Sequence, residues 1–129
     1  MPDSVLVIDD NRDNRDLVQI LLECEGFELR AAEDASAALR VLETWQPKLI
    51  LMDVQLPGVD GLELTRRLRC RPEFEIVPIV AFTAYAMRRE KRAAREAGCD
   101  GYITKPINTR TFASEIRQFL AARGSPAEG

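Results

Sequence analysis

An apolar run followed by a stretch of helical period occurs five times along the chain, and few architectures accept such an order. The runs are SVLVID (4–9), FELRAA (27–32), KLILMD (48–53), VPIVAFT (77–83) and GYIT (101–104). The first and third are too continuously aliphatic for strands with one wet face, so they are predicted as central parallel strands. FELRAA is more polar and suits a sheet edge.

The intervening segments carry helix signals. Leu17, Ile20, Leu21 and Cys24 fall at helical spacing before a stop at Gly26. Asp34 caps a helix with Ala35, Ala38, Leu39 and Leu42 on one face, which Pro47 ends. Asp60 with Glu63 reads as a capping box opening a helix through Leu64 and Leu68. A charged helix from about Ala86 to Ala97 closes at Gly98, and Phe112, Ile116, Phe119 and Leu120 mark the last amphipathic helix. Strand–helix alternation of this kind predicts an α/β fold, a parallel sheet covered by helices on both faces.

A chain of 129 residues, 46% hydrophobic, fits one domain, expected over 1–122, with 123–129 as a flexible tail or the stump of a linker. No apolar stretch approaches the roughly 20 residues of a membrane helix, and Met1-Pro2-Asp3-Ser4 lacks a basic leader, so a cytoplasmic protein without membrane contact is expected. Cys24, Cys70 and Cys99 have no paired spacing and read as reduced structural thiols. Histidine is absent and the net charge is -3, which argues against bulk nucleic-acid affinity. Chemistry must run on carboxylates, hydroxyls and lysine.

In a parallel sheet all strand ends share one edge, where open α/β folds bind ligands. That edge collects Asp9 and Asp10 after strand 1, Asp53 after strand 3, Thr83 after strand 4 and Lys105 after strand 5. If strands 1 and 3 are neighbours, the carboxylates converge and require a cation. Without histidine or a plausible thiolate ligand, a hard ion such as Mg2+ is indicated. Lys105 offers fixed positive charge and Thr83 a hydroxyl, equipment for holding a phosphoryl group.

These residues stand in the acidic pair DD, the block LILMDVQLPGVDGLEL, AFTA and YITKPI, in an order and spacing that resembles the receiver domain of two-component response regulators over residues 4–122. The resemblance implies a flavodoxin-like five-stranded parallel sheet in the order 2-1-3-4-5. It implies that Asp53 is the phosphoacceptor, served by a histidine kinase or histidine phosphotransfer protein. Asp10, Asp53 and the backbone carbonyl of Gln55 would hold Mg2+, with Asp9 acting through water. Thr83 and Lys105 would contact the phosphoryl oxygens, Tyr102 matches the switch aromatic, and Lys105-Pro106 matches a cis peptide. Asp53 is then expected to be exposed at the strand tip, with the Pro57-Gly58 turn leaving the site uncovered. VPIVAFTAYAM and GCDGYITKPI look like the stand-alone, cell-cycle type of receiver, and hybrid-kinase receivers share much of that wording. Such a module is not an enzyme beyond its own phosphorylation and dephosphorylation, and it acts through a downstream protein target or by phosphorelay.

Each residue also has a plainer reading. A lone aspartate ending a strand is usually a turn former or cap, and Thr83 and Lys105 alone would be a strand residue and a loop charge. Tyr102 is equally read as packing, and Tyr85 as a gate or a cover for the pocket. Trp45 is given no role. Arg88, Lys91, Arg92 and Arg95 form a basic stripe whose default is a solvated face, with an acidic protein partner as the better functional reading and nucleic acid as a poor one. A haloacid-dehalogenase-type phosphoenzyme is the rival from another class, but its acid/base position, two residues after the nucleophile, is Gln55 here. A small flavoprotein would need phosphate-cradling loops that are missing.

Overall fold

A computed structural model describes residues 3–84 and 87–124. Tyr85 and residues 125–129 of the expected tail lie outside the described residues. The elements alternate as β1 (Ser4–Ile8), α1 (Arg12–Cys24), β2 (Glu28–Ala32), α2 (Ala35–Thr44), β3 (Leu49–Asp53), α3 (Gly61–Arg69), a 3-10 turn (Pro72–Phe74), β4 (Ile79–Thr83), α4 (Arg88–Ala97), β5 (Gly101–Thr104) and α5 (Phe112–Gly124). The strands pair in parallel in the order β2-β1-β3-β4-β5, as expected.

Residue parity along the strands builds a core on each side of the sheet. Leu6, Ile8, Ile50, Met52, Ile79 and Ala81 face α2, α3 and α4, where Ala38, Leu64 and Leu68 are fully buried. Val5, Val7, Leu49, Leu51, Val80, Phe82 and Ile103 face α1 and α5, meeting Val18, Leu22, Phe112 and Ile116. β1, β3 and β4 are buried along their whole length, whereas edge strand β2 is mostly exposed.

Several expectations shift in detail. The buried stripe of α1 is centred on Val18 and Leu22, while Ile20 is 60% exposed and Cys24 is exposed. Apolar pairs at 17/21 and 18/22 are adjacent on a helix, and the interface with β1 and β2 takes the second. Cys70 is also exposed, and only Cys99 is a buried thiol. Asp60 caps α3 by accepting from Glu63 N at 2.8 Å, but the Glu63 carboxylate turns to Arg66 and Arg67. α4 is described from Arg88, after its N-cap Met87, and the start expected near Ala86 lies outside the described residues.

One side chain ties the lower parts of these elements together. Arg69 donates to the carbonyls of Gly98, Phe74 and Val77 at 2.7–2.9 Å and pairs with Asp100 at 2.8 Å. Asp100 in turn accepts from Ile79 N at 2.9 Å, so the end of α3, the entry to β4 and the start of β5 share one polar clamp.

Candidate functional site

Because β1 and β3 are hydrogen-bonded neighbours, with Ile8 opposite Met52, the residues that follow them come together. Asp9, Asp10 and Asp53 each present a carboxylate oxygen within 4.8 Å of the others. Lys105, delivered from the end of β5 by the Lys105 N to Thr83 O bond of 2.8 Å, places its ammonium 3.0 Å from Asp9 Oδ2 and 3.3 Å from Asp53 Oδ2. The Lys105-Pro106 peptide is cis, as expected. Thr83 ends β4 and is buried, opposite Thr104 of β5.

The acids differ in their surroundings. Asp9 is fully buried: its Oδ1 accepts from Asn11 N at 2.8 Å and its Oδ2 from Asn14 Nδ2 at 3.3 Å. The Arg15 guanidinium donates to the Asp9 backbone carbonyl at 2.8 Å. Asn14 and Arg15 were not singled out from sequence; their one signal is a position in the first turns of the helix that follows the acidic pair. Asp10 is exposed, and among the described residues no hydrogen bond or ion pair occupies its carboxylate.

Asp53 is only 4% exposed, which corrects the expectation of an exposed strand tip. It is still part of the ladder, opposite Phe82, and its Oδ1 accepts from Gln55 N at 3.0 Å while Lys105 covers Oδ2. Burial pushes the Asp53 carboxyl up from 3.8 to about 6; the Gln55 N–H opposes this, the Asp9 charge adds to it, and Lys105 opposes it.

A raised carboxyl pKa means that the folded state binds a proton the unfolded state has released. The associated stability is present below about pH 3.8 and is lost as pH rises through about 6. In chelator, urea denaturation of the wild type is therefore expected to lose stability across this window relative to Asp53→Asn. A gain across the window would contradict the burial argument.

The donor set suits a hard cation: three carboxylates, one of them without a protein partner, face a single lysine, with no nitrogen or sulfur ligand in the cluster. Gln55, exposed after β3, contributes its N–H to Asp53.

Other expected residues lie to one side. Tyr102 on β5 is half-buried, and the Lys91 ammonium sits 4.5 Å from its ring centroid. Tyr102, Thr83, Val54, Leu62 and Glu90 line a cavity of about 70 Å³ between the sheet and α4. Arg88, Lys91, Arg92 and Arg95 come together on α4, away from the acids. Trp45 follows α2, donates from Nε1 to Glu28 Oε1 at 3.0 Å and carries Arg30 over its ring, a cover for the edge strand. Among the described residues no helix is long and apolar enough to cross a membrane.

With this geometry in view, comparison with known proteins is direct. The chain is 39% identical over 120 residues to the polar-differentiation response regulator DivK of Brucella anthropi, covering 93% of this chain and 98% of that protein. The fold superposes on a CheY-like response regulator receiver domain protein from Methanospirillum hungatei with a TM-score of 0.85, at 30% identity and 100% coverage of both chains. It also matches the receiver domain of a sensor histidine kinase from Pseudomonas aeruginosa, solved with a magnesium ion coordinated in its active-site cleft (TM-score 0.84, 27% identity, 94% of this chain and 99% of that one). Residues 5–117 match the response regulator receiver domain, so that the acids, hydroxyl and lysine gathered at the strand ends belong to a chain of the receiver family of two-component signalling proteins.

Proposed function

We propose that the chain is a cytoplasmic phosphoacceptor: a histidine kinase or histidine phosphotransfer protein gives up a phosphoryl group, its N–P bond breaks, and an O–P bond forms to a carboxylate oxygen of Asp53. The observation that carries this reading is the placement of Lys105 between Asp9 and Asp53, at 3.0 and 3.3 Å, on the edge where a partnerless Asp10 also lies. Asp10, Asp53 and the backbone carbonyl of Gln55 would hold Mg2+, and Asp9, whose oxygens are already engaged by Asn11, Asn14 and Lys105, would act through water. When bound, the ion neutralises the negative charge that accumulates at the acceptor.

The protein's own groups do the remaining work. Gln55 N–H holds Oδ1 of Asp53, and Oδ2, beside the Lys105 ammonium, would take the phosphoryl group. The Lys105 ammonium and the Thr83 hydroxyl take the phosphoryl oxygens. Tyr102 shares a cavity with Thr83, so a displacement of the hydroxyl is felt at β5 and α4. Signalling to a downstream protein, or transfer of the phosphoryl group onward, is the output, with no reaction beyond the protein's own phosphorylation and dephosphorylation.

The test uses acetyl phosphate and intact-mass measurement. One hydroxylamine-labile phosphoryl group is expected to appear with Mg2+ and to be absent in chelator. Equal incorporation in chelator removes the metal from the reading, and no incorporation under either condition removes the acceptor.

A further inference from the structure

Four cations of α4 are gathered in one groove with no ion pair among the described residues, whereas several cations elsewhere in the fold are paired. Arg66 and Arg67 sit on Glu63, Arg69 on Asp100, Arg117 on Glu25, Arg12 on Asp16 and Lys48 on Asp3. Among the described residues no ion pair reaches Arg88, Lys91, Arg92 or Arg95, although the chain has 21 acids against 18 bases. Among the described residues these four line a groove of about 330 Å³, and none of them is a carboxylate or an apolar residue.

Of the two acids on α4, Glu96 is exposed and in no ion pair among the described residues, and Glu90 is withdrawn from the groove. Glu90, between Arg89 and Lys91, lines the cavity shared with Thr83 and Tyr102, where its Oε2 is buried with no hydrogen-bond partner among the described residues. Both halves of this arrangement cost free energy: a carboxylate oxygen is desolvated, and like charges are left as helical neighbours about 5–6 Å apart. An external anion in the groove relieves the second cost.

The wall indicates which anion. Three of the four are guanidinium groups, planar forks that take two phosphate oxygens each, and no apolar residue among the described residues lines the groove to seat the side chains of a peptide. From Arg88 to Arg95 the helix rises about 10 Å, at ~1.5 Å per residue, a span that one phosphate cannot bridge and a chain of them can. The volume falls at the lower end of the roughly 300–1,000 Å³ typical of small-molecule sites. We propose that the basic groove on α4 is a binding site for a soluble oligophosphate-class anion. Lys91 belongs both to this groove and to the contact with the Tyr102 ring, so the ligand draws on the same ammonium and is sensed at β5. The groove contains none of the strand-end residues, and the proposal stands or falls independently of phosphorylation at Asp53.

The experiment is an NMR titration of the isotope-labelled full-length chain, free of divalent ions and at physiological ionic strength, with inorganic tripolyphosphate. Saturable shifts over Arg88, Lys91, Arg92, Arg95 and the Tyr102 ring are expected. The double variant Arg92→Glu/Arg95→Glu should bind at least about tenfold more weakly, with unchanged spectral dispersion showing that it folds. Lys105→Ala should bind as the wild type does, which separates the groove from the strand-end site. A nucleoside triphosphate that binds more tightly than tripolyphosphate identifies a nucleotide as the source, and equal affinity identifies the phosphate chain itself. Absence of saturable shifts, their loss in Lys105→Ala, or equally tight binding of a hexaglutamate peptide overturns the proposal, the last by making the face a docking surface for acidic proteins.

Discussion

Asp53→Asn is expected to abolish phosphoryl incorporation, from acetyl phosphate or from a phosphorylated histidine kinase, while the fold persists. An amide cannot form the acyl phosphate, and the neighbouring carboxylates are poor substitutes. Asp9 is 0% exposed against 4% for Asp53, with Asn11 N on one oxygen and both Asn14 Nδ2 and Lys105 on the other, and no Lys105 ion pair reaches Asp10. The variant should also be the more stable protein in chelator at neutral pH, because it removes a buried charge whose pKa is raised to about 6. Loss of label together with a rise in melting temperature is the expected signature. Undiminished label on the variant would move the acceptor elsewhere, with Asp10 the first place to look by peptide mapping.

Gly61→Ala is expected to damage the fold and the site at once. Gly61 opens α3 and donates its N–H to Val54 O at 3.0 Å, which folds the loop back onto the end of β3. A Cβ at this position would overlap the Asp53 backbone carbonyl oxygen and stand 2.9 Å from Val54 Cα. Neither neighbour can give way easily, since Asp53 is held in the ladder opposite Phe82. Urea denaturation should show a loss of about 3 kcal/mol, at the upper end of the range for overpacking. The label taken up per folded molecule should fall as well, because the obstruction bears on the peptide of the acceptor itself. An unchanged midpoint would mean that the loop relaxes away from β3, and full labelling of the folded fraction would mean that Asp53 does not depend on this contact.

The strands and their positions were legible because burial dictates their composition. The continuous aliphatics of β1, β3 and β4 mark central strands, and the alternating polar residues of β2 mark an edge. Strand-end residues were legible too, since parallel strands deliver their last residues to one side. Side-chain environment was not. Asp53 reads as an exposed tip because the residues after it are loop formers, whereas in the fold it is buried in the ladder opposite Phe82 and met by Lys105, which is 52 residues distant and arrives only through β5. The engagement of Asn14 and Arg15 with Asp9 follows from how α1 leans on β1, an angle that periodicity does not encode. The α1 stripe shows the same limit: two adjacent apolar rows fit one helix, and packing chose the row of Val18 and Leu22.

The mounting of the site on the sheet has a mechanical consequence. All three acids, and Thr83, project from β1, β3 and β4, strands flanked on both sides by ladder partners, whose amides should be among the slowest to exchange with solvent deuterium. Lys105 alone is carried by an outer strand, β5, which is bonded on one side only and reaches Asp9 and Asp53 across its neighbours. The negative half of the site is thus a fixed anvil, and the positive half rides on the part of the sheet that yields most easily. A tug on β5, from whichever molecule docks there, is transmitted as a change in the distance between opposite charges.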